Sequence, residues 1–394
     1  MRILQIHNTY RQYGGEDSVV AMERAALTAA GHTVDTFGRT NEIDRLRSAA
    51  RLVLAPWNPF SAKEAAEKIA SFQPDVAHIH NTWFSVTPSV VGELHRRGIP
   101  TVMTTHNYRL VCANALLYRD HRTCTDCVGT GPWAGVRHRC YRDSVVTSAA
   151  AAATISWNRR RRTWADGVDR FLVSTEFARD VFIRGGIPAD KIEIMPLFVV
   201  DPGPRLAPPS ASRTVMFAGR IDRAKGLDTL LAAWEKASPD LELLILGDGP
   251  LRAELQSAAP RGVRFAGWKD RSKVGETMLA ARTLVFPSDA YEMFALTMVE
   301  GMAAQMSIIA GDVGPRREVL GSDDGALPPA GDVDAWARAL SMAQDDDWVD
   351  EVAAIARSRY EERYSPQIGV PRLIAQYQAA IAHTGRRVDG SQAV

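Results

Sequence analysis

Four side chains in the second half of the chain could act together on one ligand: the cations Arg220 and Lys225, and the carboxylates Glu292 and Glu300. Each lies where an apolar run meets a turn. Thr283-Leu-Val-Phe286 feeds Pro287-Ser288, after which Phe294, Met298, Met302 and Ala303 recur at helical spacing. The pattern predicts strand, turn and helix N-terminus, the place where an open parallel α/β sheet receives its ligand. Free N–H groups and the helix dipole there suit a phosphate or a polar sugar. Glu292 falls at or before the first turn, and Glu300 follows roughly 12 Å along the helix axis. A second strand, from Val215, ends in Gly219, with Arg220 and Lys225 in the following loop and a helix from near Leu227. A third, Leu243–Leu246, ends in Gly247-Asp248-Gly249-Pro250. Cations suit a diphosphate and carboxylates suit hydroxyls, so the implied ligand is a nucleotide sugar. Taken alone, the acidic stretch also reads as a dipole-favoured Glu292 with an exposed Glu300.

The elements that must hold these groups form an α/β chain in two parts. At 394 residues it exceeds one ordinary core. Its 46% hydrophobic and 24% charged residues are those of a soluble globular protein. A formal charge of +1 argues against a nucleic-acid binder. No apolar run reaches the roughly 18 residues of a membrane span. Met1-Arg-Ile-Leu-Gln-Ile-His7 reads directly as a strand, so no signal peptide and a cytoplasmic enzyme are expected. Residues 197–212 are rich in Pro, Gly and Ser without periodicity and read as a linker between domains 1–196 and 213–364. A final helix, 365–383, begins at Ser365-Pro366, and the last dozen residues read as frayed.

Along the first domain, Gly14-Gly15 follow the first strand and allow close backbone approach. Ser61-Ala-Lys-Glu64 reads as a capping box. Asp75–His80 and Thr101–His106 read as strands, the second leaving His106 at its carboxyl end. An insertion at about 107–143 then holds all four cysteines, Cys112, Cys124, Cys127 and Cys140. The close Cys124/Cys127 pair with two flanking thiols is the spacing of a structural zinc site; free thiols and disulfides are the alternatives. Val145–Trp164 reads as one helix ending in Arg159-Arg-Arg-Arg162. That cluster is a solvated helix end, or a basic lip for an anionic acceptor or an acidic membrane face. Asp332-Val-Asp334 reads as a helix cap, and Asp345-Asp-Asp347 as a solvated turn.

From Gly219 to Glu318 most specifically, and along most of the chain, the sequence resembles the retaining nucleotide-sugar glycosyltransferases of family four. The resemblance implies the GT-B fold: two facing Rossmann-like domains across a deep cleft, acceptor side first and donor side second, with the C-terminal helix crossing back to the first. It implies that Arg220 and Lys225 neutralise the donor diphosphate, helped by backbone at Gly219 and at Glu292-Met293-Phe294-Ala295-Leu296. Glu300 would hold the ribose diol, Glu292 the sugar hydroxyls with Phe294 packed beneath, and His106 the donor sugar near the reacting carbon. Gly14 and Gly15 would close on diphosphate and acceptor, and the turn at Trp268 would frame the base. The expected reaction is hexosyl transfer from a UDP-sugar, or a GDP-sugar, to a glycan, lipid-linked or small-molecule hydroxyl. Configuration would be retained through an oxocarbenium-like transition state, the leaving phosphate taking the acceptor proton and no catalytic metal being needed. The sequence departs from the family at Met293 and Ala295, where relatives usually have glycine, and at Gln305, Ser307 and Pro315. Those departures imply a narrowed donor pocket, or a protein that binds nucleotide sugar without transfer. A same-fold epimerase or phosphorylase is the other alternative.

Overall fold

The computed structural model describes residues 1–10, 14–40, 52–83, 85–321 and 325–391, with side chains to 385. Two compact units emerge: residues 1–117, 124–196 and 369–394 form unit 1, and 118–123 with 197–368 form unit 2.

Unit 1 alternates strand and helix, as a parallel sheet requires. Its elements run β1 Arg2–Thr9, α1 Gly15–Ala29, β2 Thr33–Thr40, α2 Pro59–Phe72, β3 Val76–Ile79, α3 Ser89–Arg96 and β4 Thr101–Thr104. After the hairpin β5 Tyr118–Arg119 and β6 Arg122–Thr123, which groups with unit 2, come α4 Ala134–Arg137, α5 Val145–Arg160 and α6 Thr163–Gly167. β7 Arg170–Val173, α7 Glu176–Arg184 and β8 Ile192–Ile194 complete it. The sheet is all parallel, in the order β2-β1-β3-β4-β7-β8. β3 and β4 are buried at every position, the mark of strands covered on both faces.

Unit 2 repeats the plan with β9 Thr214–Ala218, α8 Leu227–Ala237, β10 Glu242–Leu246, α9 Arg252–Ser257, β11 Val263–Gly267, α10 Arg271–Ala280 and β12 Thr283–Phe286. It continues with α11 Leu296–Ala303, β13 Ser307–Ala310, α12 Arg316–Leu320, α13 Val333–Met342 and α14 Asp346–Arg363. The sheet order is β11-β10-β9-β12-β13, again all parallel. Val215, Phe217, Leu243, Ile245, Trp234 and Trp336 form its centre, each at most 2% exposed. The last helix, α15, spans Pro366–Ser391, and from Gly369 onward it belongs to unit 1.

Several local expectations change. α2 is capped by Asn58, whose side chain accepts from Phe60 N (3.0 Å); Ser61 is buried and its hydroxyl faces Thr87 and Ser89 instead, so it opens no helix. The expected helix 145–164 breaks in two because Arg162 is left-handed (φ 54°), a conformation that ends a helical run. Asp345 is not in a free turn: its carboxylate accepts from Asp347 N and Trp348 N and caps an 18-residue helix. Asp332 caps α13 through Ala335 N (2.9 Å). Within the stretch 197–212, Val199 N donates to Tyr364 O (2.9 Å) and Ser210 Oγ to Asp350 (2.6 Å). α15 stays helical far past the point where fraying is expected.

Candidate functional site

In unit 2 the carboxyl ends of β9, β10 and β12 carry the predicted groups. The turns between them pack backbone on backbone, which only glycine allows. A Cβ on Gly247 would meet Gly219 O at 1.8 Å, and one on Gly226 (φ +64°) would meet Pro287 O at 2.2 Å. Asp222 caps the short turn Arg223–Lys225 through Ala224 N (3.1 Å) and so presents Lys225. Lys225 Nζ lies 2.7 Å from Glu292 Oε1, and both side chains are under a quarter exposed. Burial pushes the Glu292 carboxyl up, but Lys225 and Arg316, with a hydrogen bond from Ser288, outweigh it and hold the group below its usual range. Arg316 is 1% exposed; it donates to Gly311 O and Ala290 O (both 2.8 Å) and ties the two loops that frame Glu292. Sequence reading missed it; the signal was a cation directly after Gly314-Pro315, at the mouth of a buried helix.

Glu300 Oε1 pairs with Arg271 Nη2 at 2.5 Å. Burial raises its pKa and Arg271 offsets part of that rise. Arg220 is two-thirds exposed, its Nε 3.3 Å from Asp222. Trp268 follows β11 and is 64% exposed, so its indole is open to a ligand. Met293, Phe294 and Ala295 are buried at 5%, 9% and 3%. The Phe294 ring makes a T-shaped contact with Tyr364 (5.8 Å between centroids). α11 begins after Ala295 with no side-chain cap, and Leu296 N is turned back to Phe294 O (2.9 Å).

Unit 1 has its own pocket, lined by Tyr10, Asn81, Trp83, His80, His106 and Arg109 among others. His106 follows β4 as expected, and its Nε2 lies 3.0 Å from His80 Nδ1. Burial lowers its pKa, only partly countered by Glu16. Gly14 N donates to Asp17 Oδ2 (2.9 Å), and Gly15 opens α1. Asp17 and Glu16 both face His7. Burial lowers the His7 pKa, but these two carboxylates win and carry it up to about 9. The Arg109 guanidinium stacks on Trp83 (4.6 Å) and Tyr141 (4.9 Å). Sequence reading missed His7, Glu16, His80 and Arg109. The His78-x-His80 spacing was the readable signal, because alternate strand residues share a face.

None of the four cysteines is joined in a disulfide, and no three of their sulfurs lie within 4.8 Å of one another. Burial, then the nearby Cys112 thiol, pushes Cys127 up to about 11. In the basic cluster, Arg159 and Arg160 end α5, Arg161 stacks on Trp57 (4.8 Å), and Arg162 pairs with Asp166 (3.0 Å). Among the described residues, no helix is long and apolar enough to cross a membrane.

Residues 13–201 match the family described as "Glycosyltransferase Family 4", and 212–346 match "Glycosyl transferases group 1". The chain belongs to the family-four glycosyltransferases. It is 29% identical over 192 residues to a phosphatidyl-myo-inositol mannosyltransferase of Mycolicibacterium smegmatis, covering 47% of this chain and 50% of that one. It is also 29% identical over 270 residues to a GDP-mannose-dependent alpha-mannosyltransferase of Mycobacterium tuberculosis, covering 67% and 62%. The matches thus span between half and about three-fifths of those relatives' own length. A sucrose-phosphate synthase from Thermosynechococcus elongatus superposes with a TM-score of 0.73 at 19% identity, over 97% of this chain and 99% of that one. That likeness gives this family member the two-Rossmann GT-B fold.

Proposed function

We propose that this protein moves a hexose from a nucleoside diphosphate sugar to a hydroxyl acceptor with retention of configuration. The observation that carries the reading is the Lys225–Glu292 pair (2.7 Å) at the tips of neighbouring strands, with Arg220, Arg316 and Glu300 in the same unit. Lys225 and Arg220 take the diphosphate and stabilise its charge as the glycosidic bond breaks. Glu292, kept ionised by Lys225 and Arg316, accepts from sugar hydroxyls. Glu300 leaves Arg271 for the ribose diol. Neither carboxylate serves as nucleophile, since Glu292 is held on the sugar hydroxyls and Glu300 on the ribose, away from the reacting carbon. The departing phosphate takes the acceptor proton. His106 and the backbone at Gly14 and Gly15 contact the sugar and the acceptor, and Trp268 packs on the base.

The donor base is a question for a panel rather than for geometry: the sequence resemblance favours a UDP-sugar over a GDP-sugar, while one relative is named a GDP-mannose-dependent mannosyltransferase. Thermal shift with UDP-, GDP- and ADP-sugars, followed by product anomer analysis by NMR, tests the reading. Stabilisation by no nucleotide sugar, or an inverted product, would overturn it. A zinc ion would use Cys112, Cys124, Cys127 and Cys140, and binding would have to draw their sulfurs together and lower the Cys127 thiol. Metal content of the purified protein by mass spectrometry decides that point. The acceptor side and the exposed Arg159 and Arg160 fit a cytoplasmic enzyme that touches an anionic membrane face; vesicle sedimentation with and without anionic lipid checks it.

A further inference from the structure

Behind the unit 1 pocket lies a buried polar cluster that the reaction above leaves unused. Glu23 of α1 is 2% exposed, and its Oε2 lies 3.5 Å from both His78 Nδ1 and His80 Nε2. His78 is satisfied on both ring nitrogens, by Tyr377 Oη (2.7 Å) and Thr104 Oγ1 (2.8 Å). Glu23 Oε2 and His80 Nε2, by contrast, are each buried without a hydrogen-bond partner. On its other side His80 Nδ1 meets His106 Nε2 at 3.0 Å. His106 Nδ1 makes no hydrogen bond among the described residues, and His106 lines the pocket.

We propose that Glu23 is a positioning residue that, through His80, sets which ring nitrogen of His106 carries the proton on the pocket side. As a neutral acid, Glu23 closes the 3.5 Å gap and donates its O–H to His80 Nε2. His80 must then hold its hydrogen on Nδ1 and donate it to His106 Nε2, so His106 carries its own hydrogen on Nδ1. The pocket therefore meets a donor, suited to a sugar oxygen. If Glu23 ionises, each bond reverses: the carboxylate accepts from His80 Nε2–H, His106 Nε2–H donates to His80 Nδ1, and a bare Nδ1 acceptor faces the pocket. One proton moved at Glu23 inverts the hydrogen-bond sense of a group two rings away.

The surroundings favour the neutral acid. No lysine or arginine pairs with Glu23 among the described residues, and an ionised carboxylate buried without a cation is costly. Burial carries its pKa up to about 8. The groups facing it are His78 and His80 from β3 and just beyond it, and Tyr377 from α15; burial keeps both histidines neutral and Tyr377 protonated. Around His106 stand His7, Glu16, Tyr10 and Arg109. Of these, His7 also titrates near pH 9.

The test is long-range 1H–15N NMR on histidine-labelled, full-length protein at pH 6.5 and pH 9.5, with His106→Asn identifying the His106 signals. The wild type should show the Nδ1–H tautomer of His106 at pH 6.5 and the Nε2–H tautomer at pH 9.5. Glu23→Gln, whose amide can donate to His80 Nε2 but cannot titrate, should hold the Nδ1–H tautomer at both. His7 titrates in both proteins, so the difference between them isolates Glu23. A His106 tautomer that is unchanged in the wild type, or that switches equally in Glu23→Gln, overturns the proposal; should that variant misfold, the same pair of spectra on His7→Gln, which removes the other titrating group, decides, a lost switch overturning the proposal. For activity the proposal rests on the glycosyltransfer reading: turnover should fall as pH rises through about 8 in the wild type, and Glu23→Gln should lose that limb. Absence of turnover with every donor would count against the transfer reading, while the tautomer spectra would still stand or fall by themselves.

Discussion

Replacing Lys225 by alanine removes the ammonium 2.7 Å from Glu292 and leaves a mostly buried carboxylate facing Arg316 alone. If Lys225 stabilises charge on the leaving diphosphate, the loss is that of one preorganised group in a protected site, ~3 kcal/mol of transition-state stabilisation. That corresponds to a fall in kcat of at least about 100-fold. A purely structural pair behaves differently. Removing Glu292 as well would then relieve the unpaired carboxylate and return both stability and rate toward wild type. The assay is therefore a double-mutant cycle, Lys225→Ala and Glu292→Ala singly and together, with kcat, KM and Tm measured on whichever donor the binding panel selects. We expect turnover to stay low in the double variant while Tm partly recovers. Near-normal turnover in Lys225→Ala, or recovery of rate in the double variant, would refute the catalytic role.

Glu300→Ala should also lower turnover at least 100-fold (~3 kcal/mol), and nucleosides lacking the ribose diol should bind wild type and variant alike; near-normal rates would remove Glu300 from the site. Gly226→Ala forces a Cβ against Pro287 O at a left-handed position, so Tm should drop by an amount worth on the order of 2 kcal/mol; an unchanged Tm would show that the turn can shift. His7 has a folded pKa of about 9 against 6.5 unfolded, so its ion pairs contribute fully below pH 6.5 and are lost as pH rises through about 9. The stability gap between wild type and His7→Gln, measured by urea unfolding, should therefore be widest near pH 6 and close by pH 10; a gap that grows with pH would contradict the pairing.

Much of the scaffold could be read from the sequence because buried parallel strands announce themselves: Thr283–Phe286 and Ser307–Ala310 are apolar and bounded by turn residues. The Lys225–Glu292 meeting was foreseeable for a similar reason, since both residues follow strands whose ends are neighbours in such a sheet. What stayed hidden depends on long-range packing. Nothing local in Phe294 says that its ring turns to Tyr364, seventy residues on, nor in Ser61 that its hydroxyl joins Thr87 rather than capping α2. Arg316 reads as a surface cation until its two carbonyl partners are known. The Glu23–His80–His106 chain joins three separate elements, and burial gives it meaning only once they are packed together.

Arg220 and Lys225 must grip a diphosphate for the proposed transfer to proceed. Isothermal titration of UDP and GDP into wild type, Arg220→Ala and Lys225→Ala measures that grip without needing an acceptor. We predict that one of the two nucleotides binds the wild type and that each substitution weakens it at least tenfold, about 1.4 kcal/mol. Equal affinity in all three proteins would contradict the assignment.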